Sequence, residues 1–149
     1  MALTEGNKHW KSLPVEDRLP ARTNGWYEAL HRSTAYYESD EEASNQQYGG
    51  VTLWSIGQAA HRIKSAGIDV IGGSDKTGLG RWAWTRYGGK EGVTLRVIVA
   101  YRPRKNKRGP MSVWNQQKAY WEKRHIDTCP LVKFQSDLKA AIEEWLEEG

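Results

Sequence analysis

A chain of 149 residues, at about 100–200 residues per domain, reads as one domain over residues 1–149, which excludes a second independent core. No apolar run approaches the about 18 residues of a membrane-crossing helix. Charges interrupt residues 1–19 where a signal peptide carries its apolar centre, so the chain reads as soluble and unexported, with no membrane partner. The composition is 38% hydrophobic and 27% charged, with eight Trp and seven Tyr, which suits a packed core and excludes disorder.

Cys129 is the single cysteine, so neither an internal disulfide nor a multi-thiolate metal cage is available. The net charge of +4 is unevenly spread. Between Tyr101 and Arg124 there are eight Lys or Arg against one acid, and between Asp137 and Glu148 five acids against one Lys. Clustered cations gain free energy by releasing counterions from a phosphate backbone, so a polyanion is the partner this pattern suits.

In chain order, residues 24–31 predict a short helix with Trp26 and Leu30 on its apolar face and His31 at its end, followed by a short strand over residues 33–37. Residues 38–50, rich in acids, amides and paired glycines, predict a loop. Residues 51–56 are apolar on both faces, as in a strand covered on both sides, and predict a central strand. The strongest pattern is a hairpin with arms at residues 81–87 and 93–101. Period-two spacing puts Trp82 and Trp84 on one face of the first arm, and Val93, Leu95, Val97, Val99 and Tyr101 on one face of the second. The glycine-rich link between the arms supplies the positive φ that such turns require.

Two helices follow. Ser112 suits the cap of a segment carrying Trp114 and Trp121 seven residues apart on one face. Pro130 suits the first turn of a second helix, in which Leu131, Phe134, Leu138, Ala141, Ile142 and Trp145 recur at three and four. Such a stripe packs on a sheet more often than on a partner. Strand, hairpin and flanking helices together predict an α/β layered domain.

No phosphate loop, nucleophile elbow or dinucleotide fingerprint occurs; Gly78, Leu79, Gly80 is only a piece of one. His125 and Cys129 have a metal-ligand spacing, but zinc needs two further ligands that no nearby segment offers. His31 and His125 therefore read as surface or helix-end residues.

The run from Gly78, Leu79, Gly80, Arg81, Trp82, Ala83, Trp84 to Tyr87, then a glycine turn, then Leu95, Arg96, Val97, Ile98, Val99, Ala100, Tyr101, Arg102, Pro103, resembles the middle of an endonuclease/exonuclease/phosphatase domain. That superfamily, with its deoxyribonuclease-like and apurinic-site nucleases, shows a Gly-Arg-aromatic strand, a turn and an apolar strand closing on Tyr-x-Pro. More closely, the chain resembles the endonuclease segment of retroelement polyproteins from algae and other protists, in which Trp-x-Trp and Ala-Tyr-Arg-Pro recur. The resemblance extends over most of the chain, and the order of the motifs carries it more than any one of them.

The resemblance implies a partial α/β sandwich with a mainly antiparallel sheet flanked by helices, and a Mg2+-dependent endonuclease acting on DNA rather than RNA, with the rest of a polyprotein as neighbour. By the same carry-over, Glu5 at the end of a strand is the magnesium ligand, Tyr101 contacts a phosphate oxygen, and Arg81 steers phosphate or braces the sheet. Each has a plainer alternative: a solvated acid, a buried tyrosine, a structural arginine. Where the superfamily has Tyr-x-Pro-Asn, this chain has Tyr101, Arg102, Pro103, Arg104, which replaces an amide with a cation.

Metal-assisted hydrolysis needs a base and further carboxylates beside the ion. These 149 residues contain no Asp-x-Asn, and neither Ser74-Asp75 nor Ser136-Asp137 is followed by His. There is also no room before Leu3 for the superfamily's first strand, and the terminal catalytic motifs do not follow by Gly149. The expectation is a fragment or degenerate relative without nuclease activity of its own. The alternative is a non-catalytic nucleic-acid binder or structural remnant, using Arg102, Arg104, Lys105, Lys107 and Arg108 in the basic loop 102–108, whose plain reading is a solvated loop.

Overall fold

The structure is a computed structural model that describes residues 2–4, 31–33, 49–53, 72–106, 109 and 112–148. It is a mixed α/β chain that divides into two compact units, Met1–Tyr101 and Arg102–Gly149. Among the described residues no helix is long and apolar enough to cross a membrane.

The described part of the first unit is built from two three-stranded antiparallel sheets. In one, β3 (Val51–Leu53) lies between β1 (Ala2–Thr4) and β2 (His31–Ser33), with Leu53 opposite both Ala2 and His31. The central position expected for the strand starting at Val51 is thus observed. His31 was expected at the end of a helix and instead belongs to β2; pairing with Leu53 outweighs the local apolar pattern, as sheet partners commonly do. The expected helix over residues 24–30 and strand residues 34–37 lie outside the described residues.

The second sheet has β5 (Trp82–Gly88) between β4 (Gly72–Ser74) and β6 (Thr94–Ala100). β5 and β6 are the predicted hairpin, rich in aromatic and β-branched residues that favour a pleated, half-buried surface. Its register sets Ala83 against Val99 and Thr85 against Val97 on one face. These residues belong to the side that joins the core: Val51 and Leu53 of the first sheet cluster with Ala83 and Val99 of the second, and Val97 and Tyr101 pack on them. Each fully buried aliphatic side chain of this kind contributes about 1.5–3 kcal/mol.

The opposite face of β5 carries Trp82 and Trp84, both buried. Gly73 stands across from Trp84, and a Cβ there would lie 3.2 Å from the indole Nε1, so the glycine makes room for the ring. Arg96 lays its guanidinium 4.4 Å from the centre of the Trp84 ring. The far end of the hairpin outruns the core: Val93 and Leu95 are 65% and 61% exposed, although they share a face with Val97 and Val99. The link is a 3-10 turn at Lys90–Gly92, with positive φ at Gly92 and also at Glu91.

The second unit holds α1 (Val113–Glu122) and α2 (Pro130–Glu147). The Ser112 hydroxyl accepts from the Asn115 N–H at 3.3 Å and so caps α1, as its sequence position implied. Trp114 and Trp121 are both buried, with the Tyr120 and Trp121 rings edge to face at 4.8 Å. At the other end the Ile126 N–H bonds to the Trp121 carbonyl and the His125 N–H to that of Glu122, with His125 at φ 58. This is a Schellman ending with histidine where glycine is usual. Pro130 occupies the first turn of α2, Phe134 is buried, and Leu131, Leu138, Ala141 and Trp145 are half-buried along the same stripe. Lys133 of α2 sits 5.1 Å from the Trp121 ring centre and bonds to Asp137 at 2.8 Å, tying the two helices together.

Candidate functional site

The loop from β4 to β5 begins with Asp75, whose carboxylate organises everything up to the hairpin base. Its Oδ1 accepts from the Thr77 N–H at 3.1 Å and its Oδ2 from the Thr77 hydroxyl at 2.8 Å, an Asx turn of the kind Asp forms two residues ahead of a donor. The Gly78 N–H closes the turn on the Asp75 carbonyl at 3.1 Å, and Gly78 and Gly80 both take the positive φ that the tight path requires. The Asp75 N–H then bonds to the Trp82 carbonyl at 3.0 Å. Asp75 thus faces back along the strand that follows.

Arg81 completes the loop. Its Nε donates to Oδ2 of Asp75 and its Nη2 to Oδ1 at 3.0 Å, and both side chains of the pair are 1% exposed. Among the described residues the carboxylate accepts two hydrogen bonds from Thr77 and two from Arg81. The Arg81 guanidinium also lies 4.5 Å from the Trp82 ring centre. A two-pronged guanidinium–carboxylate pair fixes orientation as well as charge, so this arginine braces the hairpin base.

Tyr101 stands across from Arg81. Its N–H donates to the Arg81 carbonyl at 2.8 Å, carrying the ladder one step past the Trp82–Ala100 pair. Its side chain is half-buried against the inner-face cluster. The structure therefore brings Arg81 and Tyr101 together as backbone partners, with the Arg81 side chain engaged by Asp75.

Glu5, the predicted magnesium ligand, lies outside the described residues. Among the described residues no group of three or more His, Cys, Asp or Glu is placed to hold a metal ion. Asp75, the carboxylate beside the hairpin base, has its lone-pair positions taken by Thr77 and Arg81 and offers no vacant oxygen to a hard cation. The described residues do not fit a magnesium site. His125 and Cys129 are both exposed, at the end of α1 and at the N-cap of α2.

In the second unit, Arg102, Arg104 and Lys105 are exposed along an extended segment, while Lys107 and Arg108 lie outside the described residues. The segment is tied to the start of α1: the Ser112 hydroxyl donates to the Asn106 carbonyl at 3.3 Å, and the Asn115 side-chain amide to the Gly109 carbonyl at 2.7 Å. Among the described residues no carboxylate pairs with Arg102, Arg104 or Lys105. Three cations thus lie close together on a stretch anchored at one end, with no acid paired to them among the described residues.

The Asp75–Arg81 pair is the feature that reading the sequence missed. Its signal was present as Asp75, Thr77 and Gly78, an Asx-turn pattern just ahead of the strand. No protein-family model matches the chain, and comparisons with curated proteins and with solved structures find no match either.

Proposed function

We propose that the chain is part of, or a degenerate relative of, a Mg2+-dependent endonuclease domain of the endonuclease/exonuclease/phosphatase superfamily. In this reading it does not cleave phosphodiesters by itself, and its own activity is to hold nucleic acid, DNA in preference to RNA, through residues 102–108. The carrying observation is the exposed run Arg102, Arg104, Lys105, which has no carboxylate partner among the described residues. Phosphates supply the missing counter-charge and release condensed cations as they bind.

Two features support the ancestral reading. The described part of the first unit holds two antiparallel sheets that share an apolar cluster, which is compatible with a partial sandwich, and its hairpin carries the Arg-aromatic strand and the strand closing on Tyr101. In the ancestral reaction Glu5 is the one magnesium ligand the resemblance assigns. Arg81 serves that site as a brace, holding the strand from which Tyr101 takes its backbone partner.

The experiment uses the purified chain in two assays. Incubated with supercoiled plasmid and millimolar Mg2+, it leaves the plasmid closed; nicking that is lost in Glu5→Gln would overturn the inactive reading. Titrated against labelled DNA at several salt concentrations, it binds with an affinity that falls as salt rises, and Arg104→Glu with Lys107→Glu weakens binding and flattens the slope. An unchanged slope in the double variant would remove residues 102–108 from the interface.

A further inference from the structure

Two kinds of cation stand out among the described residues of the helical unit. Lys118, Lys133 and Lys139 each face an acid four residues on, Glu122 at 3.4 Å, Asp137 at 2.8 Å and Glu143 at 3.7 Å, the usual arrangement on a solvated helix. Arg102, Arg104, Lys105 and Arg124 have no carboxylate partner among the described residues. Three of these four belong to the basic segment, and the fourth stands at the opposite end of α1.

Arg124 is exposed yet held. Its Nη1 donates to the Tyr120 carbonyl at 3.1 Å, and its guanidinium carbon lies 3.5 Å from the centre of the Tyr120 ring. Stacking and a backbone bond already fix a side chain that otherwise loses rotamer freedom when a ligand immobilises it. A guanidinium has five N–H donors, so the bond to Tyr120 leaves others for a phosphate.

We infer that the nucleic-acid surface runs the length of α1, from the basic segment at its N-terminal end to Arg124 at its C-terminal end. This deepens the binding reading above and rests on it. The Asn106 carbonyl bonded to the capping Ser112 puts the segment beside the start of the helix. The ten residues of α1 then separate the two ends by about 15 Å at about 1.5 Å per residue. Phosphates of one strand advance about 3.4 Å each along a duplex, so the two ends are bridged by about five successive phosphates. The partner is a nucleic-acid chain long enough to touch both, and a mononucleotide or free phosphate is not.

A cation at a helix C-terminus also stabilises the helix, so the test separates that role from binding. The variants are Arg124→Gln, which keeps a donor for the Tyr120 carbonyl but removes the charge, and Arg124→Lys, which keeps the charge. Lys139→Gln serves as the control, since Lys139 lies on α2 and already has Glu143. Binding of a fluorescein-labelled DNA duplex of about 12 base pairs is followed by anisotropy as salt is raised, with a melting curve for each variant. Arg124→Gln is expected to weaken binding several-fold and to reduce the salt slope by about one, with Arg124→Lys restoring the slope and Lys139→Gln leaving it unchanged. A trinucleotide, which cannot span α1, is expected to bind all four proteins weakly and alike. A slope unaltered in Arg124→Gln while Arg104→Glu lowers it would overturn the inference and leave the binding reading standing. If the unaltered chain shows no salt-dependent binding, both fall. Should Arg124→Gln melt early, the comparison of Arg124→Lys with the unaltered chain at matched fraction folded decides: equal slopes support the charge contact, and a lost slope overturns it.

Discussion

Asp75 and Arg81 lie six residues apart, and their side chains meet in a two-pronged ion pair from which solvent is almost wholly excluded. Isolating either charge in that position is costly, because the partner is left buried without compensation, whereas replacing both together removes the problem along with the bond. Arg81→Ala is therefore expected to destabilise the chain by about 3–5 kcal/mol. The double variant Asp75→Asn with Arg81→Gln should lose clearly less than the two single changes added together. Urea unfolding of the four proteins measures this. Additive losses would mean that the two side chains act independently and that the brace at the hairpin base is not one unit.

The glycine across from the indole makes a second structural prediction. A β-branched side chain at residue 73 would force the Trp84 ring to move, since even a Cβ comes within 3.2 Å of it. Gly73→Val is expected to shift the tryptophan emission to the red and lower the melting temperature, at a cost of about 1–3 kcal/mol for overpacking. Valine normally favours strands, so a gain in stability would show that the ring is free to rearrange.

Much of this architecture could be read from residue patterns because it is local. The hairpin, the Ser112 cap, the Pro130 start of α2 and the central strand at Val51 all rest on spacing or on a single residue's backbone preference, and all appear as expected. Periodicity names a face but not where the core ends, which is why Val93 and Leu95 share the stripe of Val97 and Val99 yet stand in solvent. His31 illustrates the second limit: its partner in β3, Leu53, far along the chain, decides its state. For the candidate site, the exposed cations at 102, 104 and 105 were legible as a charge run. A bracing role for Arg81 was among the readings of the sequence, but its partner Asp75 was not, because that partnership needs the loop to be folded first.

The ending of α1 offers a stabilising change. His125 holds a φ of 58 at the C′ position of a Schellman motif, where a residue with a Cβ carries a steric penalty that glycine avoids. Its side chain is exposed, so nothing packed is lost on removal. His125→Gly is expected to raise stability by about 0.5–1 kcal/mol in denaturant melts, whereas His125→Ala, which keeps the Cβ, should not. If His125→Gly is the less stable of the two, the entropy gained by the unfolded chain outweighs the strain relieved.

Along α2 the two sides of one helix should respond oppositely to the same truncation. Phe134 is buried on the stripe shared with Leu138, Ala141 and Trp145, whereas Leu146, one turn beyond Ile142, is 75% exposed. Phe134→Ala removes a large buried ring and leaves a cavity, an expected cost of about 3–5 kcal/mol. Leu146→Ala exchanges one strong helix former for another in solvent and is expected to change stability by less than about 0.5 kcal/mol. Guanidinium unfolding monitored by circular dichroism compares them directly. A large loss in Leu146→Ala would mean that this end of α2 is covered in solution, and the same measurement repeated across a tenfold range of protein concentration would show whether a second copy of the chain does the covering, because only then does the midpoint move with concentration.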